Sequence, residues 1–195
     1  MKEYWEIAKE FEISYGHRVW SQDLNCNFSL DNKCSCKMLH GHNARIILYL
    51  SGTSLNDQGM ILDFKNLNWV KQWLDKVVDH KFIMDINDPL FNYDIRDPLE
   101  KFLGNRSRPL LFINHNEEYS TVDEKCYEDL EDAIKEKYES YVFVNFVPTS
   151  ENLSRWIFNV VQRKLNEINV KVSKVEFYET PKSKSTYIFI EDTEE

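Results

Sequence analysis

Hydrophobic and polar residues alternate along several stretches near both ends of the chain. The first stretch begins at Trp5, where apolar residues alternate with glutamates, and it extends to His17 if the alternation stays regular that far. This period of two is typical of a strand with one buried face. The same reasoning predicts further strands at about 42–51, 170–180 and 184–191.

Two other stretches have apolar residues spaced three or four positions apart, as on one face of a helix. Asp63 is a suitable N-cap for a helix that runs to about Val78, and Thr149 or Ser150 caps a second helix directly after Pro148. The predicted order is strand, strand, helix, helix, strand, strand. We therefore expect an α+β fold in which a four-stranded antiparallel sheet has two helices on one face.

Residues 92–145 do not continue this pattern. Their first half is loop-like, with an apolar patch at 110–113, and Thr121 and Glu124 then form a capping box before a helical apolar stripe. We predict a single domain over residues 1–195, with an acidic loop-and-helix insertion at about 92–145.

Net charge limits the classes of partner. The chain carries a formal charge of −9, and the segment Glu117–Glu139 alone holds ten acidic residues and three lysines, a net −7. Such a chain is not expected to bind nucleic acid, whose phosphates require a basic surface. The nearly neutral remainder leaves room for a basic pocket that binds a phosphorylated substrate, with Arg18, Lys37 and Lys81 as candidate cations.

Neither a membrane segment nor an export signal is predicted. No apolar run approaches the 18 residues of a membrane-spanning helix, and the sequence from Met1 lacks the apolar stretch of a signal peptide. We therefore expect a cytoplasmic protein. In that compartment the four cysteines, Cys26, Cys34, Cys36 and Cys126, are free thiols or metal ligands rather than disulfides.

Three histidines are candidate metal ligands. His40 and His42 are two residues apart at the start of the second strand, so their side chains point to the same face about 7 Å apart along the strand. His17 has the parity of the inward-facing residues of the first strand. Three imidazoles with an open fourth position are typical of a catalytic zinc site. Two alternatives stay open: ordinary polar residues at strand ends, or a closed structural site built from Cys34, Cys36, His40 and His42.

Several short motifs follow one another along the chain. They are Tyr15-Gly16-His17, Cys36-x-x-x-His40-Gly41-His42-Asn43, Gly59-Met60-Ile61-Leu62-Asp63-Phe64, Asp79-His80-Lys81, Pro148-Thr149-Ser150-Glu151-Asn152, and Glu179-Thr180 followed by Tyr187. Taken together, these motifs resemble those of one enzyme family, that of 6-pyruvoyltetrahydropterin synthase and 6-carboxytetrahydropterin synthase. The resemblance covers residues 5–91 and 146–191.

The resemblance implies a fold, an assembly and a set of roles. The fold is the tunnelling fold, whose units assemble into a ring-shaped barrel, here as a homo-oligomer and in the family as a hexamer. Zn²⁺ is held by His17, His40 and His42. A proton-transfer triad, which can span a subunit boundary, is formed by Cys36, Asp79 and His80.

Other residues have implied substrate contacts. In the family, the glutamate that matches Glu179 binds the 2-amino and ring N–H groups of the pterin, and Thr149, Ser150 and Glu151 are candidates for further contacts. Each has a simpler explanation as well. Glu179 would otherwise be a surface glutamate, the segment 149–151 would only start a helix, and Cys36 would be an inert loop thiol.

The implied substrate is 7,8-dihydroneopterin triphosphate. We favour the 6-carboxytetrahydropterin synthase reaction, which releases triphosphate and acetaldehyde on the route to 7-deazaguanine nucleosides such as queuosine. The alternative is the 6-pyruvoyltetrahydropterin synthase reaction, which stops at triphosphate elimination on the route to tetrahydrobiopterin. A second alternative is a non-enzymatic zinc-binding interaction protein of the same fold. The presence of Cys36, His80 and Glu179 argues against it, because a pure binding protein does not need a reactive thiol.

Overall fold

The computed structural model describes residues 3–25, 27–29, 34–104 and 109–190. These residues form two compact units. The first unit draws its described residues from 1–13, 42–76 and 150–195, and the second from 14–41 and 77–149. The prediction of a single domain with an insertion stays a prediction.

Within the described residues, eight strands are hydrogen-bonded into one sheet in the order β4-β5-β6-β3-β1-β2-β7-β8. Their bounds are β1 Trp5–His17, β2 His40–Gly52, β3 Lys81–Asp85, β4 Leu111–Asn114, β5 Tyr119–Val122, β6 Tyr141–Val144, β7 Lys171–Thr180 and β8 Ser183–Ile188. The α-helices are α1 Asn68–Val77, α2 Pro89–Phe91, α3 Asp97–Leu103, α4 Asp132–Glu139 and α5 Ser150–Leu165. A π-helical turn, Asn92–Arg96, joins α2 to α3.

The four predicted strands and both predicted helices are present. β1, β2 and β7 lie within two residues of the predicted bounds. β8 begins one residue early and ends at Ile188, three residues before the predicted end, and residue 191 itself lies outside the described part of the chain. The first predicted helix begins as a 3₁₀ turn at Phe64 and becomes α-helical at Asn68, with the Asp63 carboxylate accepting the Lys65 N–H. The second helix begins at Ser150.

The core of the first unit lies between its strands and its helices. Alternate residues of β2, such as Ile46 and Leu48, are fully buried, as is Phe177 of β7. α5 packs against β7 and β8. Trp73 of α1 meets Trp156 of α5 edge to face, with ring centroids 5.4 Å apart. The apolar residues that alternate along these strands therefore lie on the buried face, as the sequence predicts.

The second unit contains the main departure from the predicted fold, because the sheet has eight strands rather than four. β3 pairs in parallel with β6, and the end of β1 pairs in parallel with β3, whereas the prediction was antiparallel throughout. The four additional strands have only four or five residues each. The stretches Phe82–Met84 and Val142–Val144 are continuously apolar, and all of their residues except the partly buried Phe82 are buried, so they lack the alternation that reveals a strand with one exposed face.

The segment 92–145 therefore contains strands as well as the predicted loop and helix. It contributes to a hydrophobic core in which Ile95, Leu99 and Phe143 are fully buried. The predicted helix after Thr121 is shorter than expected: Asp123 starts a single 3₁₀ turn, and α4 begins only at Asp132. Tyr127 interrupts the helix because its backbone leaves the helical region while its side chain is buried in this core.

Two further sequence expectations can be compared with the structure. Cys34, Cys36 and Cys126 are free thiols, as predicted, and Cys26 lies outside the described residues. Within the described ranges, every helix is too short or too polar to cross a membrane.

Candidate metal centre and active site

His17 is the last residue of β1, and the alternation of that strand persists to its end. The side chain is 1% exposed, on the buried face predicted by its parity. Its Nδ1 lies 2.6 Å from the carbonyl oxygen of Pro148. Because a carbonyl can only accept, Nδ1 carries the hydrogen and the lone pair of the neutral ring lies on Nε2.

His40 has the same type of second contact. Its Nδ1 lies 2.8 Å from the carbonyl oxygen of Met38, so in the neutral ring the lone pair is also on Nε2. A backbone carbonyl that fixes the tautomer and the ring orientation of a histidine is typical of metal ligands in proteins.

Gly41 separates His40 from His42 at the start of β2. A Cβ atom at this position would lie 2.9 Å from the carbonyl oxygen of Tyr15, closer than such atoms normally approach. Glycine therefore allows the start of β2 to come close to the end of β1, where His17 lies.

The three histidines converge on one point. One nitrogen of each of His17, His40 and His42 lies within 4.8 Å of the others, and the rings of His17 and His40 have centroids 4.5 Å apart. Three nitrogens around a tetrahedral zinc, each at 2.0–2.1 Å, are separated by about 3.3 Å. Small side-chain adjustments would therefore satisfy a zinc ion, and the donor set fits the metal that the sequence predicts.

The closed site with two cysteine ligands is not favoured. Among the described residues, the group with metal-ligand spacing consists of the three histidines and includes neither Cys34 nor Cys36. The Cys34 thiol instead donates to the side-chain oxygen of Gln22 at 2.6 Å. A site with three imidazoles keeps a coordination position for substrate.

Asp79 and His80 are held firmly against β1. The Asp79 carboxylate accepts the backbone N–H of Ser14 at 2.6 Å, and the N–H of His80 donates to the carbonyl of Ser14 at the same distance. These contacts stabilise the left-handed backbone of His80, whose φ is 58°.

The His80 ring faces Asp79 with one edge and solvent with the other. Its Nδ1 lies 3.0 Å from the second carboxylate oxygen of Asp79, and its side chain is 81% exposed. An Nδ1–H held by the carboxylate leaves the Nε2 lone pair on the outer edge of the ring. This is the arrangement of a general base oriented by an acid.

Glu179 lies beside one of the predicted metal ligands. Its carboxylate is 3.7 Å from Nε2 of His42, and its side chain is 25% exposed. The Glu179 side chain is therefore half-buried next to the histidine.

Glu176, on the same strand, is a buried carboxylate for which the sequence suggested no role. It accepts hydrogen bonds from Tyr49, Tyr178 and Lys184 at 3.1, 3.2 and 2.5 Å. Burial by itself would raise the pKa of the Glu176 carboxyl, but these hydrogen bonds together lower it. Glu176 is therefore ionised in the folded protein at neutral pH.

Cys36 lies in a 3₁₀ turn, Ser35–Lys37, just before β2, and is half-buried. Its carbonyl oxygen accepts the backbone N–H of Val19 at 2.7 Å. Its placement relative to Asp79 and His80, and with it the triad, stays a prediction.

The segment at the start of α5 has contacts that explain its residues structurally. Pro148 supplies the carbonyl that holds His17. The hydroxyl of Ser150 donates to the Glu151 carboxylate at 3.3 Å, and its carbonyl accepts the Ser185 hydroxyl at 2.7 Å. Substrate contacts of Thr149, Ser150 and Glu151 stay a prediction.

Two of the three candidate phosphate-binding cations have partners within the protein. Arg18 Nε lies 3.0 Å from the Asp88 carboxylate, and Lys81 donates to the Glu139 carbonyl at 2.7 Å. These contacts give Arg18 and Lys81 structural roles.

Comparison with known proteins identifies the family. The model of the family described as 6-pyruvoyl tetrahydropterin synthase matches residues 6–188. The chain belongs to this family. The resemblance predicted from the sequence motifs is therefore confirmed, and membership places the chain among pterin-forming enzymes of the lyase type.

Two similar proteins match nearly the whole chain. The 6-carboxy-5,6,7,8-tetrahydropterin synthase of Aquifex aeolicus is 28% identical over 192 residues, which cover 94% of this chain and 97% of that protein. The solved structure of an uncharacterized protein from Wolinella succinogenes is 44% identical and covers 95% of this chain and 98% of its own, with a TM-score of 0.84.

The fold is shared with more distant members. The crystal structure of 6-pyruvoyl tetrahydropterin synthase from Plasmodium vivax has a TM-score of 0.51 at 16% identity, over 95% of this chain and 97% of that chain. The predicted fold is confirmed, with more strands than expected.

Some residues that organise this pterin synthase site were not identified from the sequence. The carbonyls of Met38 and Pro148 have no sequence signal, since every residue has a carbonyl. Asp88 did have a sequence signal, because an aspartate directly before Pro89 is typical of a helix start. Its contact with Arg18 adds a second role that the local sequence does not indicate.

Proposed function

We propose that this family member is a zinc-dependent 6-carboxytetrahydropterin synthase. Its substrate would be 7,8-dihydroneopterin triphosphate, which with one water gives 6-carboxytetrahydropterin, acetaldehyde and triphosphate, on the route to queuosine. The name of the Aquifex relative, which matches over nearly the whole chain, supports the choice of reaction. The observation that carries the proposal is the convergence of three histidines, two of them with Nδ1 directed at a backbone carbonyl.

His17, His40 and His42 would hold the zinc ion. Zinc bound there supplies Lewis-acid stabilisation of negative charge on an oxygen of the substrate side chain. The protein's part is to present three neutral imidazoles in fixed orientations. The carbonyls of Met38 and Pro148 do this for His40 and His17.

Cys36, Asp79 and His80 would move protons between the side-chain carbons and the ring of the pterin. Asp79 holds Nδ1–H of His80, so Nε2 accepts or returns the proton. Cys36 would serve as the second proton-transfer group, in the exchange of a proton with carbon. The triad would be completed within a homo-oligomer, as the exposure of the His80 side chain allows.

Glu179 would bind the pterin through its 2-amino and ring N–H groups. A carboxylate that accepts two parallel N–H bonds matches that edge of the ring. Its position beside His42 supports this role, because the pterin side chain must reach the metal ligands while its ring is held. Thr149, Ser150 and Glu151 would provide further contacts. We place the enzyme in the cytoplasm, as a hexamer of single-domain subunits.

Product analysis tests the reaction. The purified protein is incubated anaerobically with 7,8-dihydroneopterin triphosphate, and pterins and volatile products are identified by mass spectrometry. Acetaldehyde together with 6-carboxytetrahydropterin supports the proposal. A 6-pyruvoyl product without acetaldehyde would assign the alternative activity, for which the family description is the support. No turnover by the zinc-loaded protein would favour a binding protein.

Metal analysis tests the ligands separately from the reaction. We expect His17→Ala to lose zinc, measured per subunit by plasma mass spectrometry, while Cys36→Ala retains zinc and loses turnover. His115→Ala is the matched control, because this exposed histidine lies in the turn between β4 and β5. Zinc retained in His17→Ala would remove His17 from the ligand set. Zinc lost in Cys36→Ala would make the thiol a ligand.

A further inference from the structure

The residues that follow His17 are held in place by contacts on two sides. We call residues 18–22 the anchor segment. Arg18 at its start forms an ion pair with Asp88, with 3.0 Å between Nε and the carboxylate oxygen. The Asp88 side chain is 1% exposed and that of Arg18 is 18% exposed, so this is not a solvated surface pair.

Trp20 makes the second contact that holds the anchor segment in place. Its indole N–H donates to the Asp85 carboxylate at 3.0 Å, and Asp85 is 3% exposed. The other oxygen of Asp85 accepts both the backbone and side-chain N–H groups of Asn87 at 2.9 Å.

Both aspartates are therefore rigid acceptors. Asp85 is the last residue of β3, and Asp88 is the N-cap of α2, where its other oxygen accepts the Leu90 N–H at 2.9 Å. Each carboxylate is fixed by local contacts, and the anchor segment adds an ion pair to Asp88 and a hydrogen bond to Asp85.

On its other side the anchor segment holds the turn that carries Cys36. Val19, which lies between Arg18 and Trp20, donates its N–H to the Cys36 carbonyl at 2.7 Å. The side chain of Gln22 accepts the Cys34 thiol at 2.6 Å. The path of contacts thus runs from the end of β3, through residues 18–22, to the turn at 34–37.

We propose that Arg18 and Trp20 are positioning residues, which act through Asp88 and Asp85 to set the place of Cys36 relative to His17. The contact of Arg18 with a phosphate stays a prediction, since only its Nε is placed against Asp88. The inference rests on the proposed function, in which Cys36 transfers a proton. A displacement of a reacting group by about 1 Å can cost a factor of 100 in rate, so a loosened turn lowers turnover even when the metal is bound.

Asp88→Asn isolates the ion pair. Asparagine caps a helix as well as aspartate does, so the start of α2 is preserved while the charge facing Arg18 is lost. We expect wild-type zinc content, a KM within a factor of two, and a kcat lower by about tenfold. We also expect Cys36 alkylation by iodoacetamide, followed by peptide mass spectrometry at fixed pH, to change by at least a factor of about three.

Two further variants make the test specific. Trp20→Phe keeps an aromatic ring but removes the donor to Asp85, and we expect the same pattern of changes. Arg18→Lys retains the positive charge and should fall between Asp88→Asn and the wild type. Asp123→Asn is the matched control, because Asp123 also caps a short turn of this unit, and it should behave as the wild type.

Alkylation and kcat together distinguish a failure of this inference from a failure of the proposed function. Wild-type Cys36 alkylation and kcat in a folded Asp88→Asn protein would overturn the inference. If Asp88→Asn does not fold, the same two measurements on Trp20→Phe decide, and wild-type values there would overturn it. If the wild-type enzyme has no activity on the pterin, the proposed function fails. The alkylation comparison still shows whether the anchor segment positions Cys36.

Discussion

Replacing Asp79 with asparagine separates the two contacts of its carboxylate. Asparagine keeps one oxygen, which can still accept the Ser14 N–H that Asp79 accepts at 2.6 Å. The other oxygen, 3.0 Å from Nδ1 of His80, becomes an amide N–H₂ group. Two donors then face each other, so the His80 ring must move its hydrogen to Nε2 or turn away. In either case Nε2 can no longer accept a proton in the place where the substrate needs it.

The expected losses of stability and of activity differ in size. The His80 side chain is 81% exposed, and a contact with such an exposed group contributes at most about 1 kcal/mol to folding. General acid–base catalysis by a positioned side chain contributes about 10²–10⁴-fold. That factor corresponds to about 2.7–5.4 kcal/mol in the barrier. The variant should therefore be folded and inactive.

The measurements are kcat for pterin turnover, zinc per subunit and the thermal unfolding midpoint. We expect kcat to fall by at least about 100-fold, with zinc unchanged. Asp63→Asn is the control. The Asp63 carboxylate also accepts a backbone N–H, that of Lys65 at 2.8 Å, but it does so at the start of a helix. A folded, zinc-loaded Asp79→Asn enzyme with kcat within about threefold of wild type would show that Asp79 does not orient a catalytic base.

Three other substitutions address the metal, the substrate and the sheet. Gly41→Ala places a methyl group 2.9 Å from the Tyr15 carbonyl and should weaken zinc binding by about tenfold in a chelator competition; Gly52→Ala, with 3.4 Å to its nearest neighbour, should not. Glu179→Gln should raise KM for the pterin by about 10–100-fold with a smaller change in kcat, and an unchanged KM would exclude the predicted contact. Because hydrogen bonds lower the pKa of Glu176, its ionised form stabilises the fold at neutral pH, and this contribution is lost as the pH falls below the ordinary value of 4.5. The urea midpoint of Glu176→Gln should therefore decline less steeply than that of the wild type on acidification, and parallel declines would refute this.

Long strands and helices with one buried face were predictable from the sequence. β1 and β2 each have 13 residues, enough for the alternation to be unmistakable, and α5 has 16. β3 and β6 could not be recognised, because they have five and four residues and their apolar stretches are continuous. Short runs of this kind do not distinguish a buried strand from a piece of helix.

The convergence of the three histidines was predictable for the same reason as the strands. The parity that buries Phe11 also buries His17, and the spacing of His40 and His42 puts both on one face. The orientation of the rings could not be predicted, because it depends on carbonyls of Met38 and Pro148. The second of these is 131 residues from His17 in the chain. Only the folded backbone brings such groups together.

One short stretch, residues 14–19, makes several of the contacts that organise the site. Ser14 holds Asp79 and His80 through its backbone, the Tyr15 carbonyl lies against Gly41, and Val19 holds the Cys36 turn. His17 lies among them on the buried face. Because side chains alternate along a strand, a slip of one residue in β1 would turn His17 away and would also displace the partners of His80 and Cys36. In the proposed function, metal binding and proton transfer would thus be coupled through the end of one strand, although separate side chains would carry them out.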